Sequence, residues 1–236
     1  MIKIYTFLKK SIDSLFETEK LLKQSPRGSV HLICHKASGK KYVFRQYAGS
    51  CEVYKKLIAV KCPYLPQIAE AAEENGRSAV LEEYISGDSL AFLIQGVRLT
   101  VDETKKIITH ICRALWVLHS MGVVHRDIKP ENVIIRGSDA VLIDFDASRT
   151  YKPELDNDTQ VMGTTGYAAP EQFGINQTDA RADIYSLGVM MNIMLTGMHP
   201  TKKLASGKMG RIIQKCTNTS PAKRYQNVQE LMNALR

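Results

Sequence analysis

Up to about residue 85 the apolar positions of this chain fall in short strand-like runs; beyond residue 88 they fall mostly in longer helical ones. The runs at 20–23, 30–35 and 41–47 predict strands, the last two joined by a turn at Ser38-Gly39, and 79–85 predicts another. A helix is predicted over 52–60, ending before Pro63, with Pro66 soon after. Ser86-Gly87-Asp88 interrupts the last strand and divides a β-rich region, 19–86, from a helical one, 87–236. Helices are predicted there over 88–96, 102–120, 168–173, 181–196, 208–216 and 225–235, with short strand-like runs at 133–135 and 141–143. Residues 1–18 form an extension. Its Phe7/Leu8, Ile12 and Leu15/Phe16 recur at helical spacing, which predicts an amphipathic helix packed on the domain, with docking to a partner as the other reading. No repeat or low-complexity tract interrupts the pattern.

The densest chemistry is His125-Arg126-Asp127-Ile128-Lys129-Pro130-Glu131-Asn132, between the apolar run 107–118 and the strand-like run 133–135. Asp144 lies twelve residues beyond Asn132, just after the second short run. An Asp and an Asn beside a second Asp, at the ends of two short strands, suit a divalent cation bound to phosphates. Hard cations such as Mg²⁺ take oxygen ligands and share them with a substrate's phosphates. Taken singly, the same residues are turn formers.

This stretch resembles the catalytic loop of the eukaryotic-like serine/threonine protein kinases, H-R-D-x-K-x-x-N. Asp144-Phe145-Asp146 resembles the family's metal-binding D-F-G with the glycine replaced, and the segment Gly163 to Glu171 resembles the one ending in A-P-E. Asp183-Ile184-Tyr185-Ser186-Leu187-Gly188 is similar to the start of the central helix of the C-lobe, and Pro221-Ala222-Lys223-Arg224-Tyr225 to the closing P-x-x-R-Y element. The resemblance covers roughly 19–236, and its Gly-Tyr-Ala-Ala-Pro-Glu-Gln phrase points to bacterial members. It implies an α+β, protein-kinase-like bilobal fold with a small β-rich N-lobe and a larger helical C-lobe, the site lying in the cleft between them. ATP and Mg²⁺ would serve phosphoryl transfer to protein Ser/Thr hydroxyls, including those of the chain's own activation segment. Asp127 would orient the substrate hydroxyl, Lys129 would neutralise charge on the transferring group, and Thr164 would bond both. Asn132 and Asp144 would hold the metal. Arg126 suggests control by an acidic or phosphorylated activation segment, with Thr159 the first candidate phosphosite and Asp156 and Asp158 partial substitutes for a phosphate. Glu171 is expected to pair with Arg224, and Asp183 to tie the catalytic-loop backbone.

The N-lobe departs from the family. Gly28 alone survives of G-x-G-x-x-G-x-V, aligned on Val30, and Pro26 removes a backbone donor. Arg45, following Val43 on the same strand, stands where V-A-I-K has its ATP-binding lysine, and its partner would be Glu52, only seven residues on. Asp146 occupies the glycine of D-F-G. At the hinge, Glu83 and Ile85 align with the nucleotide-binding E-Y-V, which sets Glu82 at the usually apolar gatekeeper position; Arg45 or a register slip of one would account for that buried carboxylate. Two readings from different classes therefore stand: an active kinase, on its intact C-lobe motifs, and a pseudokinase acting as a binding module, on Arg45, Asp146 and the eroded loop. A small-molecule phosphotransferase of similar fold is a third, opposed by the peptide-ledge segment ending at Gln172. The chain after His199-Pro200 is short, which implies a trimmed C-lobe helix.

Composition adds bounds. The 236 residues are 44% hydrophobic and 24% charged, an ordinary globular composition sufficient for one large domain or two lobes. The net charge of +8 reads as a lysine-rich surface, with attraction to phosphates or acidic peptides as the functional alternative. The absence of basic–aromatic interleaving argues against nucleic acid. Five scattered cysteines without metal or redox spacing, and no membrane-spanning run, imply a cytoplasmic protein; that its partner is a protein substrate is what the kinase resemblance implies. The chain would be freestanding or a piece of a longer one, and nothing in the pattern specifies an oligomeric state.

Overall fold

The computed structural model describes residues 4–151, 164–174 and 178–236. Contacts divide the chain into two compact units. One comprises Met1–Cys62 and Pro66–Ile85, the other Pro63–Leu65 and Ser86–Arg236.

The first unit is one antiparallel five-stranded sheet with a helix on each side. Its elements are α1 (Ile4–Leu15), β1 (Phe16–Ser25), β2 (Gly28–His35), β3 (Lys41–Ala48), α2 (Glu52–Leu57), β4 (Ile68–Glu74) and β5 (Arg77–Glu83), with strand order β1-β2-β3-β5-β4. The amphipathic N-terminal helix lies where its spacing predicts. Leu8 and Ile12 bury against Ile33, Phe44, Ala79 and Leu81 of the sheet. Because side chains alternate across a strand, Val43 and Arg45 of β3, with Val80 and Glu82 of β5, point to the opposite face. The linker to α2 is closely held: Ser50 Oγ and the Cys51 N–H donate to Glu73 Oε2 at 2.8 and 3.3 Å, and Ser78 Oγ donates to Gly49 O at 2.7 Å. Val53, Tyr54 and Leu57 then bury the inner face of α2.

Three differences from the sequence reading appear here. The predicted strand at 20–23 is a ten-residue edge strand, exposed along most of its length and protected by its lysines and glutamates. β4 escapes sequence reading because Ile68–Glu74 is rich in Ala and Glu, which favour helix; pairing with β5 and burial of Ala71 and Ala72 override that preference. The helix predicted over 52–60 is only six residues long.

β1 and β2 are joined by a two-residue turn, Pro26-Arg27, with Ser25 opposite Gly28. Gly28 is fixed by packing: a Cβ there would lie 1.9 Å from Gln46 O of β3. Gly28→Ala is therefore expected to cost about 2 kcal/mol through backbone overpacking, read as a lower urea midpoint of the sheet. A variant of unchanged stability but weakened ATP binding would instead assign this glycine to phosphate contact.

The second unit is mainly helical. It contains β6 (Asp88–Ser89), α3 (Leu90–Leu93), α4 (Val101–Ser120), β7 (Val123–Val124), β8 (Val133–Arg136), β9 (Asp139–Leu142), β10 (Arg149–Thr150), α5 (Ala180–Thr196), α6 (Gly207–Cys216) and α7 (Val228–Leu235). α4 starts at a reciprocal cap: Thr100 Oγ1 accepts from the Glu103 N–H, and Glu103 Oε2 accepts from the Thr100 N–H. Eleven of the seventeen residues of α5 are buried, so this helix is the core around which the unit packs. Gly188 lets α6 approach it, since a Cβ there would meet Cys216 Cβ at 2.5 Å. The helix predicted over 88–96 is instead a two-residue strand and one helical turn, capped by Ser89. That over 168–173 is a 3-10 turn, Pro170–Phe173, and the last helix starts at Val228. Between α5 and α6 the chain runs without a helix, as its length implied. Buried Asn192 holds it, donating to Met198 O and Lys203 O and accepting from the Ala205 N–H.

Candidate active site

The short hairpin β8–β9 is the platform of the site. Val133 pairs with Leu142, and the Ile143 N–H donates to Asn132 O at 2.9 Å, so the ladder extends one step past the strands. Asn132 and Asp144 consequently leave the same end of the hairpin. Pro130 begins a 3-10 turn over Pro130–Asn132, which brings Asn132 back toward Asp127.

Asp127 is the hub. Its Oδ1 accepts from Thr164 Oγ1 at 2.6 Å; its Oδ2 accepts from Lys129 Nζ at 2.8 Å and from Asn132 Nδ2 at 2.9 Å. Lys129 Nζ also donates to Thr164 Oγ1 at 2.7 Å, closing a triangle. The Asn132 amide nitrogen donates to Asp127 O as well, which leaves the amide oxygen to serve as a ligand. Four residues separated by up to 37 positions thus converge, three of them from one loop.

The loop is held in a strained shape by side chains from elsewhere. Arg126 has φ +70°, a left-handed conformation uncommon outside glycine. Its N–H donates to Asp183 Oδ1 of α5 at 2.8 Å, and its carbonyl accepts from Gln172 Nε2 at 2.9 Å. The His125 N–H and His119 Nε2 meet Asp183 Oδ2 at 2.9 and 2.8 Å. Burial pushes the Asp183 carboxyl up, but the His119 bond, the histidine charges and the backbone donor outweigh it and hold the group below its ordinary value. Burial lowers His125, whose ring packs edge-on to Phe145 at 5.6 Å. Arg224 grips Glu171 with both terminal nitrogens, at 2.6 and 2.8 Å, in the expected pairing. Gln172 and His119 are supports that sequence reading missed. A glutamine beside the paired Glu171 was the available signal for the first; nothing local marked the second.

Asp144 also has positive φ, +68°, whereas Asp146 does not, so the D-F-G glycine is not needed in this arrangement; the Asp146 N–H approaches Asp144 Oδ1 at 3.4 Å. No group of three or more His, Cys, Asp or Glu able to cage a metal occurs among the described residues. An amide oxygen and one carboxylate at a hairpin end would suit instead a hard divalent cation that shares its ligands with phosphate.

Of the expected nucleotide-binding residues, Val30, Val43 and Arg45 are buried on β2 and β3 of the first unit, and Ile85 is buried at its end. Arg45 Nε donates to Glu82 Oε1 at 2.7 Å, with both side chains almost wholly buried, which accounts for the carboxylate at the gatekeeper position without a register slip. Glu52 pairs with Lys56 at 3.6 Å and is 53% exposed. Glu83 Oε2 accepts from the Gln67 N–H at 3.0 Å. Gly28 sits in the hairpin described above. Thr159, Asp156 and Asp158 lie outside the described residues.

No helix among the described residues is long and apolar enough to cross a membrane. Comparison with known proteins matches residues 21–235 to the protein kinase domain. The chain is 28% identical over 208 residues to the serine/threonine-protein kinase pkn2 of Myxococcus xanthus, covering 80% of this chain and 25% of that protein. It is 37% identical over 161 residues to the probable serine/threonine-protein kinase pknA2 of Bifidobacterium longum, with 66% and 20% covered, and 30% identical over 220 residues to serine/threonine-protein kinase D of Synechocystis, with 79% and 43% covered. The chain thus spans less than half the length of each of these relatives. With the catalytic-loop geometry and a match over nearly its whole length, the chain belongs to the protein kinase domain family.

Proposed function

We propose that this chain transfers the γ-phosphoryl group of ATP to Ser/Thr hydroxyls of protein substrates, its own activation segment included. The observation that carries this reading is the hydroxyl of Thr164 bound to Asp127 Oδ1 and Lys129 Nζ at 2.6 and 2.7 Å: the carboxylate and the ammonium are both aligned on an aliphatic alcohol. Asp127 accepts the hydrogen bond of the incoming alcohol and takes its proton as the oxygen–phosphorus bond forms and the bond to the leaving β-phosphate oxygen breaks. Lys129 holds positive charge beside the transferring phosphoryl. Asn132 Oδ1 and the Asp144 carboxylate would hold Mg²⁺, which when bound neutralises charge on the phosphate oxygens. The named serine/threonine kinases among the relatives support the same substrate class.

A second reading, a binding module with weak or no transfer, is favoured by the Pro26-Arg27 turn, which replaces a glycine loop, and by Gly28 having a packing role. Autophosphorylation read by mass spectrometry, with Asp127→Asn as the blank, separates the two. Label that requires ATP and Mg²⁺ and vanishes in the blank is expected; equal label in both, or none, supports the binding module.

A further inference from the structure

We propose that His110 of α4 is a positioning residue for the catalytic hairpin: by accepting the outward N–H of Ala140 it fixes the edge of β9 from which Asp144 emerges, and only the neutral ring can do so. The inference rests on the kinase reading and goes beyond it by naming a support of the site that titrates.

β9 is the outer strand of its sheet, in the order β6-β8-β9. Its Ala140 and Leu142 are buried, and their N–H groups turn away from β8. A buried backbone donor needs an acceptor, and the free edge of a strand offers none. Both acceptors come from outside the sheet. The Ala140 N–H donates to His110 Nδ1 at 3.2 Å, and the Leu142 N–H to Tyr64 O at 3.0 Å. The two supports also hold each other. The rings of His110 and Tyr64 stack at 4.5 Å, and Arg113 Nη1 donates to the Tyr64 hydroxyl at 2.9 Å. Tyr64 belongs to the same compact unit as the hairpin. Asp144 follows directly on Ile143, so the outer edge of β9 sets its position on one side, as the bond from Ile143 to Asn132 does on the other.

Histidine adds a condition. The bond from Ala140 requires a lone pair on Nδ1, which places the ring proton on Nε2. Protonation puts a second donor at Nδ1. That donor opposes the Ala140 N–H, while Asp139 Oδ1, 4.0 Å from the same nitrogen, is placed to receive it. One proton thus exchanges a bond that holds β9 for an ion pair with the first residue of that strand. The charged groups around the ring are Asp139 on β9 and Lys106 and Arg113 on α4; Tyr64 presents its ring and an engaged hydroxyl. Burial is the largest influence and keeps His110 below its ordinary value; Asp139 opposes this, and Arg113 and Lys106 add to it. The exchange therefore falls on the acid side of an ordinary imidazole pKa of about 6.5.

The test compares the unaltered chain with His110→Gln, whose amide oxygen accepts but does not titrate, and with His110→Leu, which accepts nothing. Amide exchange at Ala140, followed by NMR at about pH 8 and about pH 5 and corrected for the intrinsic rate, reads the bond on both sides of the imidazole range. Single-turnover transfer to a peptide reads its consequence. The titratable groups around Asp183 act on the transfer rate too, so Ala140 exchange, not the rate profile, singles out His110. In the unaltered chain protection of Ala140 is expected to fall about tenfold from the higher pH to the lower, the scale set by one buried N–H left unmet. His110→Leu should show about that loss at both pH values and transfer about tenfold more slowly at the higher one, whereas His110→Gln should stay within about threefold throughout. Rescue by Gln separates the bond from the filling of space, since Leu fills it as well. Should His110→Leu fail to fold, the pH comparison between the unaltered chain and His110→Gln decides. Full protection of Ala140 in His110→Leu, an acid loss in His110→Gln equal to that of the unaltered chain, or undiminished transfer in a variant whose Ala140 exchange has opened overturns the proposal. A chain that transfers no phosphate in any form removes the kinase reading and the positioning role with it; the exchange comparison, which needs no turnover, then still decides whether His110 holds β9.

Discussion

Asp127→Asn is expected to lower the rate of phosphoryl transfer by about a thousandfold, the middle of the range for removing a positioned general base, with ATP affinity within threefold. The substitution is isosteric, so the space around the site is kept. What changes is the acceptor. Asp127 receives Thr164, Lys129 and Asn132 on its two oxygens, within 2.6–2.9 Å. An asparagine has one oxygen for these three donors and turns an N–H₂ toward one of them. It also has no negative charge to draw Lys129 inward or to take up the alcohol's proton. Single-turnover kinetics with a peptide substrate measures the loss. A rate within tenfold of the unaltered chain would mean that Asp127 only shapes the loop, and the transfer mechanism above would fall with it.

The second large effect is on the support of that loop. Asp183→Asn should destabilise the second unit by about 4 kcal/mol, because a buried charged acceptor of three donors becomes an amide that opposes one of them with its own N–H. The donors are the His125 and Arg126 N–H groups and His119 Nε2. Arg126, held at φ +70°, loses one of the two restraints on its backbone, and Asp127 is the next residue. Transfer should therefore fall at least a hundredfold even at temperatures where the variant is folded. The pH dependence has a definite sign. The folded Asp183 carboxyl lies below its ordinary value, so its contribution is complete above an ordinary carboxyl pKa of about 4 and is lost as pH falls through the folded value. Urea titrations at neutral and acid pH should show the gap between Asp183→Asn and the unaltered chain narrowing only at the acid end. A gap that instead narrows toward alkaline pH would assign the stabilisation to another group.

Much of this site was legible because it is local. Asp127, Lys129 and Asn132 sit within one loop, and the runs at 133–135 and 141–143 are short apolar strands whose pairing fixes where Asp144 emerges. The amphipathic extension was equally legible, since Leu8 and Ile12 obey a helical period. The Glu171–Arg224 pairing came from family resemblance, and the fold bears it out. β4 was not legible: the composition of Ile68–Glu74 favours helix, and only its neighbours make it a strand.

An α+β kinase architecture, the loop that carries the carboxylate, the amide and the ammonium, and an arginine where a lysine is usual can all be read from the chain and its family resemblance. What restrains them emerges on folding: Glu82 on Arg45 across 37 positions, Gln172 on the Arg126 carbonyl across 46, and Gln46 O against Gly28. Hydrophobic period and turn chemistry act over only a few residues. A buried charge or an orphaned backbone group is satisfied by whatever the folded chain brings within hydrogen-bond reach, and strand order, not sequence distance, determines what that is.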